Sequence, residues 1–128
     1  MKYLLDTHAF LWFVSEDNRL SSKAQSIIKN SQNEVYFSAV SAWEISIKIR
    51  LGRLTIEEDL EPFIIKQLAE NNFQTLSITI FHSIHTSKLP EIHKDPFDRM
   101  IIAQSQVEDM HLISRDKNIK KYKIPVVW

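Results

Sequence analysis

Short apolar segments of strand length alternate with amphipathic segments of helical period along all 128 residues of the chain. Strand-like runs lie at residues 2–5, 35–37, 73–78, 111–114 and 126–128. Helical periodicity marks residues 9–14, 22–31, 40–51, 62–69, 79–88 and 96–107. Because strands joined through helices pair in parallel and carry those helices on their faces, the alternation predicts an α/β protein. We expect a three-layer α/β/α sandwich around a central, mostly parallel sheet.

Length and composition predict one folded domain over residues 1–128. The 44% hydrophobic and 25% charged fractions are those of an ordinary globular protein. Residues 1–14 lack the features of a signal peptide, and no run approaches the roughly 18 apolar residues of a membrane span. The chain has no cysteine, which excludes disulfides, thiolate metal sites and cysteine nucleophiles. We expect a cytoplasmic protein with no membrane association.

The single glycine of the chain, Gly52, excludes several classes of enzyme. Phosphate loops and dinucleotide-binding turns need several glycines, because the backbone must approach a phosphate closely. The nucleophile elbow of serine hydrolases, GxSxG, needs two. Sixteen basic residues balance sixteen acidic ones, so any binding of nucleic acid must depend on local charge.

Four acidic residues stand after predicted strands or in the helices beside them: Asp6, Glu44, Asp98 and Asp116. Sites in parallel sheets form outside the carboxyl ends of the strands, so we expect these side chains to converge. Converging carboxylates repel one another unless a cation neutralises them, and hard oxygen ligands suit Mg²⁺ or Mn²⁺. The set predicts metal-assisted hydrolysis of phosphodiester bonds.

Each acid taken alone also has a structural interpretation. Asp6 can cap the helix that follows it. Glu44 fits a capping box that begins at Ser41, whereas with Ser38 as the cap it would lie in the second turn, on a polar stripe with Lys48. Both alternatives for Glu44 are open at this point.

The same holds for the later acids. Asp95 is expected to cap the helix at 96–107, with Pro96 in its first turn and Asp98 at a position that the helix dipole favours. Asp116 can organise a turn with Lys117 and Asn118.

Histidine and aromatic residues provide weaker signals. His82, His85 and His93 are interpreted as surface or capping residues, because no second metal-binding motif accompanies them. Trp12 and Trp43 lie at core-like helical positions and are predicted to pack in the interior.

Basic residues near the acids are candidate contacts to an RNA backbone. The segment 111–123 carries a local excess of positive charge that includes Arg115 and Lys117. Lys48, Arg50 and Arg53 form a second predicted basic patch.

These motifs, taken in order, resemble the PIN-domain nucleases and, within them, the VapC-type toxins of bacterial toxin–antitoxin pairs. The resemblance rests on Tyr-Leu-Leu-Asp-Thr-His at 3–8, Ser-Ala-Val-Ser-Ala-Trp-Glu-Ile at 38–45, Gly-Arg-Leu at 52–54, His-Lys-Asp-Pro-Phe-Asp-Arg at 93–99 and Leu-Ile-Ser-Arg-Asp at 112–116. It covers nearly the whole chain and implies a PIN-like α/β/α sandwich.

The resemblance also implies the roles of individual residues. Asp6, Glu44 and Asp98 match the principal metal-binding and catalytic acids, and Asp116 matches a fourth acid that acts through water. Thr7 and Ser114 match positions at which small hydroxyl side chains support the metal site. Arg99 lies within the motif, where it would contact phosphate or pair with an acid.

The implied function is that of a toxin: a metal-dependent endoribonuclease that uses Mg²⁺ or Mn²⁺ to activate a water and leaves 5′-phosphate and 3′-hydroxyl ends. The implied partners are RNA, a second copy of the chain in a homodimer, and a cognate antitoxin that reaches the carboxylates with a basic side chain. The first alternative is a non-enzymatic RNA- or protein-binding module of PIN-like fold whose acids serve only as caps. The second is a phosphohydrolase with an aspartate nucleophile.

Overall fold

The computed structural model describes residues 1–128 and contains five strands and seven α-helices. The strands are β1 (Lys2–Leu5), β2 (Glu34–Ser38), β3 (Gln74–Leu76), β4 (His111–Ile113) and β5 (Val126–Val127). The helices are α1 (Thr7–Val14), α2 (Ser22–Lys29), α3 (Ala39–Arg50), α4 (Leu60–Glu70), α5 (Ile80–His85), α6 (Pro96–Val107) and α7 (Lys117–Lys120), and a 3-10 turn covers Thr86–Lys88. None of the helices combines the length and the apolar character that crossing a membrane requires.

All five strands are parallel and lie in the order β3-β2-β1-β4-β5. The chain places β1, β2 and β3 outward on one side and then crosses back to place β4 on the other side of β1. The direction of strand addition therefore reverses between β1 and β4, and such a reversal leaves a crevice at the carboxyl ends of the two strands. The predicted α/β fold with a parallel central sheet is confirmed.

One apolar core lies on each face of the sheet. Along β1 the side chains alternate, so that Tyr3 and Leu5 join the core that contains Phe10 of α1. Leu4 joins the other core, which contains Ile101 of α6. Helices therefore cover both faces, as expected of a three-layer sandwich.

The third strand is shorter than the predicted segment 73–78. Its partner β2 ends at Ser38, which pairs with Leu76, so the residues after Leu76 have no neighbouring strand to bond with. The chain turns instead into α5, where the Thr79 hydroxyl accepts a hydrogen bond from the His82 N–H at 3.2 Å.

The start of α3 decides between the two interpretations of Glu44. The Ser38 hydroxyl accepts a hydrogen bond from the Val40 N–H at 3.0 Å, so Ser38 is the cap and the capping box at Ser41 is wrong. Glu44 lies in the second turn, with Oε2 2.8 Å from the Lys48 ammonium. The polar stripe on α3 is confirmed.

α3 ends at Arg50, two residues before the single glycine of the chain. Gly52 has a φ of +72°, and the N–H of Arg53 donates to the carbonyl of Lys48 at 2.9 Å. This left-handed turn is the usual way for a glycine to close a helix. It brings residues 53–58 beside α1, where the two segments line a cavity of about 860 Å³.

Two aromatic residues of the helices are not in the interior. Trp43 is 56% exposed and lies with its ring edge-on to Phe97, and Phe81 is 74% exposed. The prediction that Trp43 packs in the core is wrong, because the buried stripe of α3 passes through Ser41 and Glu44. The buried side of α3 consists of Val40, Ser41, Glu44 and Ile45, so it is apolar in part and polar in part, and Trp43 lies outside it.

Candidate active site

The carboxyl ends of β1 and β4 place a carboxylate and a hydroxyl side by side. Leu5 pairs with Ile113, and the N–H of Asp6 donates to the carbonyl of Ile113 at 3.1 Å. Asp6 and Ser114 are the next residues of the two strands, and both are buried. Hydrogen bonding from the Ser114 hydroxyl lowers the pKa of Asp6 and partly offsets the effect of burial, which shows that the two side chains are neighbours at the crevice.

Asp6 and Asp116 are helix caps as well as neighbours at this edge. Asp6 Oδ1 accepts a hydrogen bond from the Ala9 N–H at 2.7 Å and begins α1. Asp116 Oδ1 accepts one from the Asn118 N–H at 2.7 Å and begins α7, a short helix where the sequence indicated a turn. The backbone N–H of Asp116 donates to the Ser114 hydroxyl at 3.1 Å, which ties the two caps together.

Asp98, near the start of α6, joins these residues electrostatically. Burial is the main cause that raises the pKa of Asp6 to about 7, and the negative charges of Asp98 and Asp116 add to it. Burial likewise raises the pKa of Asp98 to about 6, while its hydrogen bond to His93 opposes the shift. Asp6 and Asp98 are therefore poorly solvated, and the charge of Asp116, from a third element, opposes the ionisation of both.

Glu44 is buried beside this group, but its charge is compensated. Its Oε1 accepts a hydrogen bond from the Thr7 hydroxyl at 2.6 Å, and its Oε2 lies 2.8 Å from the ammonium of Lys48. Because the single hydroxyl hydrogen of Thr7 goes to Glu44, the hydroxyl of Ser41, 2.9 Å away, donates to Thr7. Thr7 thus joins α1 to α3 directly after Asp6.

Two further residues at the site had little or no signal in the sequence. His93, which the sequence analysis set aside, has its Nε2 3.1 Å from Oδ2 of Asp98. Its Nδ1 lies 2.6 Å from the hydroxyl of Tyr122. The position of His93 five residues before Asp98 was the available signal, whereas nothing in the sequence pointed to Tyr122.

The four basic candidates have different surroundings. The Lys48 ammonium is engaged by Glu44, as described above. Arg99 donates to the carbonyls of Pro90 at 2.8 Å and Thr86 at 3.1 Å, which engages it with the loop before α6. The exposed Arg115 lies over the ring of Trp12, 4.6 Å from its centroid, and Lys117 is exposed at the start of α7. These contacts give the predicted phosphate-binding role of Arg99 no support.

The other singled-out residues have structural partners. Asp95 accepts hydrogen bonds from two N–H groups at the start of α6 and is the predicted cap. His82 is fully buried, with Nε2 2.7 Å from Glu108, and His85 contacts a glutamine of α6. His8 is exposed, and its ring stacks on Trp12.

The donors of the site fit a hard divalent cation in type, although side chains must turn to hold one. No three His, Asp or Glu side chains are grouped closely enough as they stand to hold a metal ion. Each acid is hydrogen-bonded to a nearby group of the protein, as Asp6 is to the N–H of Ala9. Oδ1 of Asp98 and Oδ2 of Asp116 accept no hydrogen bond from the protein and are available as ligands. Both oxygens of Glu44 are in use.

A family model described as PIN domain matches residues 3–125. The chain belongs to the PIN domain family. Over 129 aligned residues this PIN domain is 28% identical to Ribonuclease VapC22 of Mycobacterium tuberculosis (strain ATCC 25618 / H37Rv), in an alignment that covers 98% of this chain and 97% of that protein.

Solved structures of similar fold include two complexes that contain DNA. The PIN domain matches a chain of VapBC2 from Rickettsia felis, bound to a DNA fragment from its promoter, with a TM-score of 0.74 and 12% identity over 99% of this chain and 98% of that chain. It matches a chain of the DNA-bound VapBC from Salmonella typhimurium with a TM-score of 0.71 and 14% identity over 99% of this chain and 97% of that chain. At these identities the likeness establishes the fold, and the resemblance inferred from the motifs is confirmed.

The raised pKa values predict how the stability of the metal-free PIN domain depends on pH. Asp6 and Asp98 titrate near 4 when unfolded and at about 7 and about 6 when folded, so the folded state binds their protons more tightly. Their contribution is fully present below about pH 4 and is lost as pH rises through these values. We expect the Tm in chelator to fall from pH 5 to pH 8, and to fall less in Asp98→Asn.

Thermal unfolding followed by circular dichroism measures this effect. Because histidines titrate in the same range, the difference between the wild type and Asp98→Asn is the informative quantity. Asp59→Asn is the matched control, since Asp59 is exposed and its side chain makes no capping hydrogen bond. If Tm depends on pH equally in the wild type and in Asp98→Asn, the protein itself already compensates the charge of Asp98.

Proposed function

We propose that residues 1–128 form a single PIN nuclease domain that hydrolyses RNA phosphodiester bonds with a divalent metal and acts as the toxin of a toxin–antitoxin pair. The observation that carries the proposal is that the charges of Asp98 and Asp116 act on the buried Asp6 at the carboxyl edge of the sheet, so that the three acids lie near one another. A similar protein over almost the full length is named a ribonuclease, which supports RNA as the substrate.

Asp6, Asp98 and Asp116 would hold Mg²⁺ or Mn²⁺ first, because they carry the uncompensated charge. Glu44 would join them when Lys48 moves away from its carboxylate. When bound, the ion supplies a Lewis acid that activates water and neutralises charge on the phosphate. Oxygen ligands of this kind match these two ions better than they match zinc or copper.

The residues around the acids have supporting roles in this proposal. Thr7 donates a hydrogen bond to Glu44 and so fixes the orientation of that carboxylate, and Ser114 would do the same for Asp6. Lys48, once free of Glu44, and the exposed Arg115 and Lys117 lie where they could contact RNA phosphates; such contacts add affinity without reading the sequence. The proposal assigns no phosphate contact to Arg99, whose guanidinium is held by the loop.

Incubation of the purified protein with a mixed RNA pool tests the activity. The pool contains messenger, transfer and ribosomal RNA, and the reactions contain Mn²⁺, Mg²⁺ or a chelator. We expect cleavage with either metal and none with chelator, with 5′-phosphate ends on the products. Absence of cleavage together with absence of Mn²⁺ binding would support the alternative of a non-enzymatic module, in which the acids act only as caps.

A covalent phosphohydrolase gives a different result in the same experiment. An aspartate nucleophile would form an acyl-phosphate that hydroxylamine traps, whereas hydrolysis by water forms no covalent intermediate. Labelled RNA remaining on the protein would therefore contradict the proposed mechanism.

We propose that the antitoxin docks in the cavity between α1 and residues 53–67. The cavity offers apolar contacts through Leu11, Leu54 and Phe63, and Lys48 on its wall adjoins Glu44. A partner segment lying there would reach the carboxylates directly, and a basic side chain on it would occupy the place of a cation. The proposal is supported by a solved structure of similar fold, with a TM-score of 0.64 and 18% identity over 98% of this chain and 96% of that chain, which is named a toxin–antitoxin complex from Klebsiella pneumoniae. Suppressed cleavage in the purified pair and its return after Leu54→Glu would support this assignment.

We also propose that two copies of the chain associate through α5. Ile80, Phe81 and Ile84 are 75%, 74% and 57% exposed, and Val107 of the adjacent α6 is 39% exposed. Apolar side chains clustered in this way are typical of a protein interface. α5 contains no Lys, Arg, Asp or Glu, so two copies can face each other across a twofold axis without repulsion.

A further inference from the structure

Four side chains form a continuous hydrogen-bonded chain that ends on Asp98. Nη1 of Arg99 lies 3.1 Å from the hydroxyl oxygen of Tyr122, and that oxygen lies 2.6 Å from Nδ1 of His93. Nε2 of His93 lies 3.1 Å from Oδ2 of Asp98. These hydrogen bonds join the C-terminal segment, the loop before α6 and the first turns of α6.

The guanidinium of Arg99 determines which atom donates and which accepts in each of these hydrogen bonds. A guanidinium can only donate, so the oxygen of Tyr122 accepts a hydrogen bond from Arg99. The backbone N–H of His93 donates to the same oxygen at 3.4 Å, so both acceptor positions of the hydroxyl are filled, and its hydrogen goes to Nδ1 of His93 at 2.6 Å. A ring nitrogen that accepts carries no proton, so the proton of the imidazole is on Nε2, where it is donated to Asp98.

We propose that His93 and Tyr122 are positioning residues, which hold Asp98 in the orientation that the site requires. The bond from His93 engages Oδ2 of Asp98 and leaves Oδ1 without a hydrogen bond from the protein, free to bind a cation. Without that bond the carboxylate can rotate between orientations, and part of the binding free energy of a ligand is used to order it. This inference rests on the proposed metal-dependent function and adds a role for two residues outside the acidic set.

The surroundings of Tyr122 favour a fixed rather than an adjustable arrangement. Tyr122 is only 5% exposed, and its ring packs edge-on against the ring of His93. Arg99 is anchored by the carbonyls of Thr86 and Pro90, so the donor at the start of the chain cannot swing away. Substitution of Arg99 would release this loop as well, whereas Tyr122→Phe removes one oxygen atom and keeps the ring.

The tautomer of His93 tests the direction of the chain without any activity. Nitrogen chemical shifts of the ring are measured by NMR in the metal-free protein at pH 8. We expect a single species protonated on Nε2 in the wild type, and a mixture of tautomers in Tyr122→Phe. The control is Tyr36→Phe, because the Tyr36 hydroxyl is near Glu34, away from the acids. A wild-type ring protonated on Nδ1 would overturn the proposal.

Binding of Mn²⁺, measured by titration calorimetry, tests the positioning role. We expect Tyr122→Phe and His93→Ala to raise the Kd by about 10–100-fold, the effect usual for partners that orient a ligand. His93→Gln should recover part of the affinity, because its amide N–H can donate from near the position of Nε2. Tm values in chelator identify any variant that fails to fold.

Mn²⁺ binding by three variants distinguishes a failure of the proposed function from a failure of the positioning role. If Asp98→Asn binds Mn²⁺ as tightly as the wild type, the proposed function fails along with the positioning role. If Asp98→Asn loses Mn²⁺ while Tyr122→Phe and His93→Ala keep the wild-type Kd, the positioning role alone is overturned.

Discussion

Replacement of Asp98 or Asp6 by asparagine is expected to lower metal-dependent RNA cleavage by about 10²–10³-fold, a loss typical of removing one group that stabilises transition-state charge. Asparagine keeps the shape and the hydrogen-bond acceptor of each side chain but removes the negative charge that would hold the cation. We expect the combined variant to lose little more than either single one, since residues that act as a unit are not additive. Initial rates on a defined RNA fragment measure the effect.

The control for this prediction is Asp59→Asn, which changes the same charge on an exposed side chain of the α4 cap. It should cleave RNA at the wild-type rate. Because neutralisation removes repulsion within the acidic group, Asp98→Asn should also have a Tm in chelator at least as high as that of the wild type at pH 8. Wild-type cleavage by Asp6→Asn and Asp98→Asn would refute the assignment of the site.

Phe81→Glu is expected to convert the protein from a dimer to a monomer. Phe81 is 74% exposed at the centre of the proposed interface, between Ile80 and Ile84, and a twofold axis would bring the two new carboxylates close together. The charges would lose water and repel each other on association. Sedimentation equilibrium across a hundredfold range of concentration measures the mass.

Ile65→Glu is the matched control, because Ile65 is 60% exposed on α4 and lies outside the α5 face. It should leave the mass unchanged. Both variants replace exposed side chains, so each should fold, with a Tm near that of the wild type at concentrations where the wild type is a monomer. A wild-type protein that sediments as a monomer at all concentrations would eliminate the proposed interface.

Much of the fold could be predicted because it depends on local pattern. β1 shows a short buried run, and α6 shows an apolar stripe after Asp95 and Pro96, so both were predicted close to their observed bounds. β3 was predicted too long because its end is set by its partner: pairing stops at Ser38, a residue that lies far away in the sequence. The length of an edge strand is thus a tertiary property.

The candidate site was partly predictable for the same reason. Asp6 and Asp116 stand directly after or close to strand ends, and parallel pairing of β1 with β4 brings strand ends together whatever the side chains are. The contact of His93 with Tyr122 spans 29 residues and depends on how the loop before α6 is folded. No periodicity or spacing rule encodes such a contact. Trp43 was misplaced because α3 is apolar on more than one side, so its buried stripe was ambiguous.

Two acids of the site are also the residues that begin helices, and this double use affects which changes the protein can tolerate. Alanine at Asp6 or Asp116 would remove the charge and the cap together, at a cost of about 0.5–2 kcal/mol in stability. Asparagine caps a helix as well as aspartate does. Replacing Asp6 or Asp116 by asparagine should therefore remove activity without removing the helix cap. Such a folded, inactive protein can be used to capture the RNA and the antitoxin.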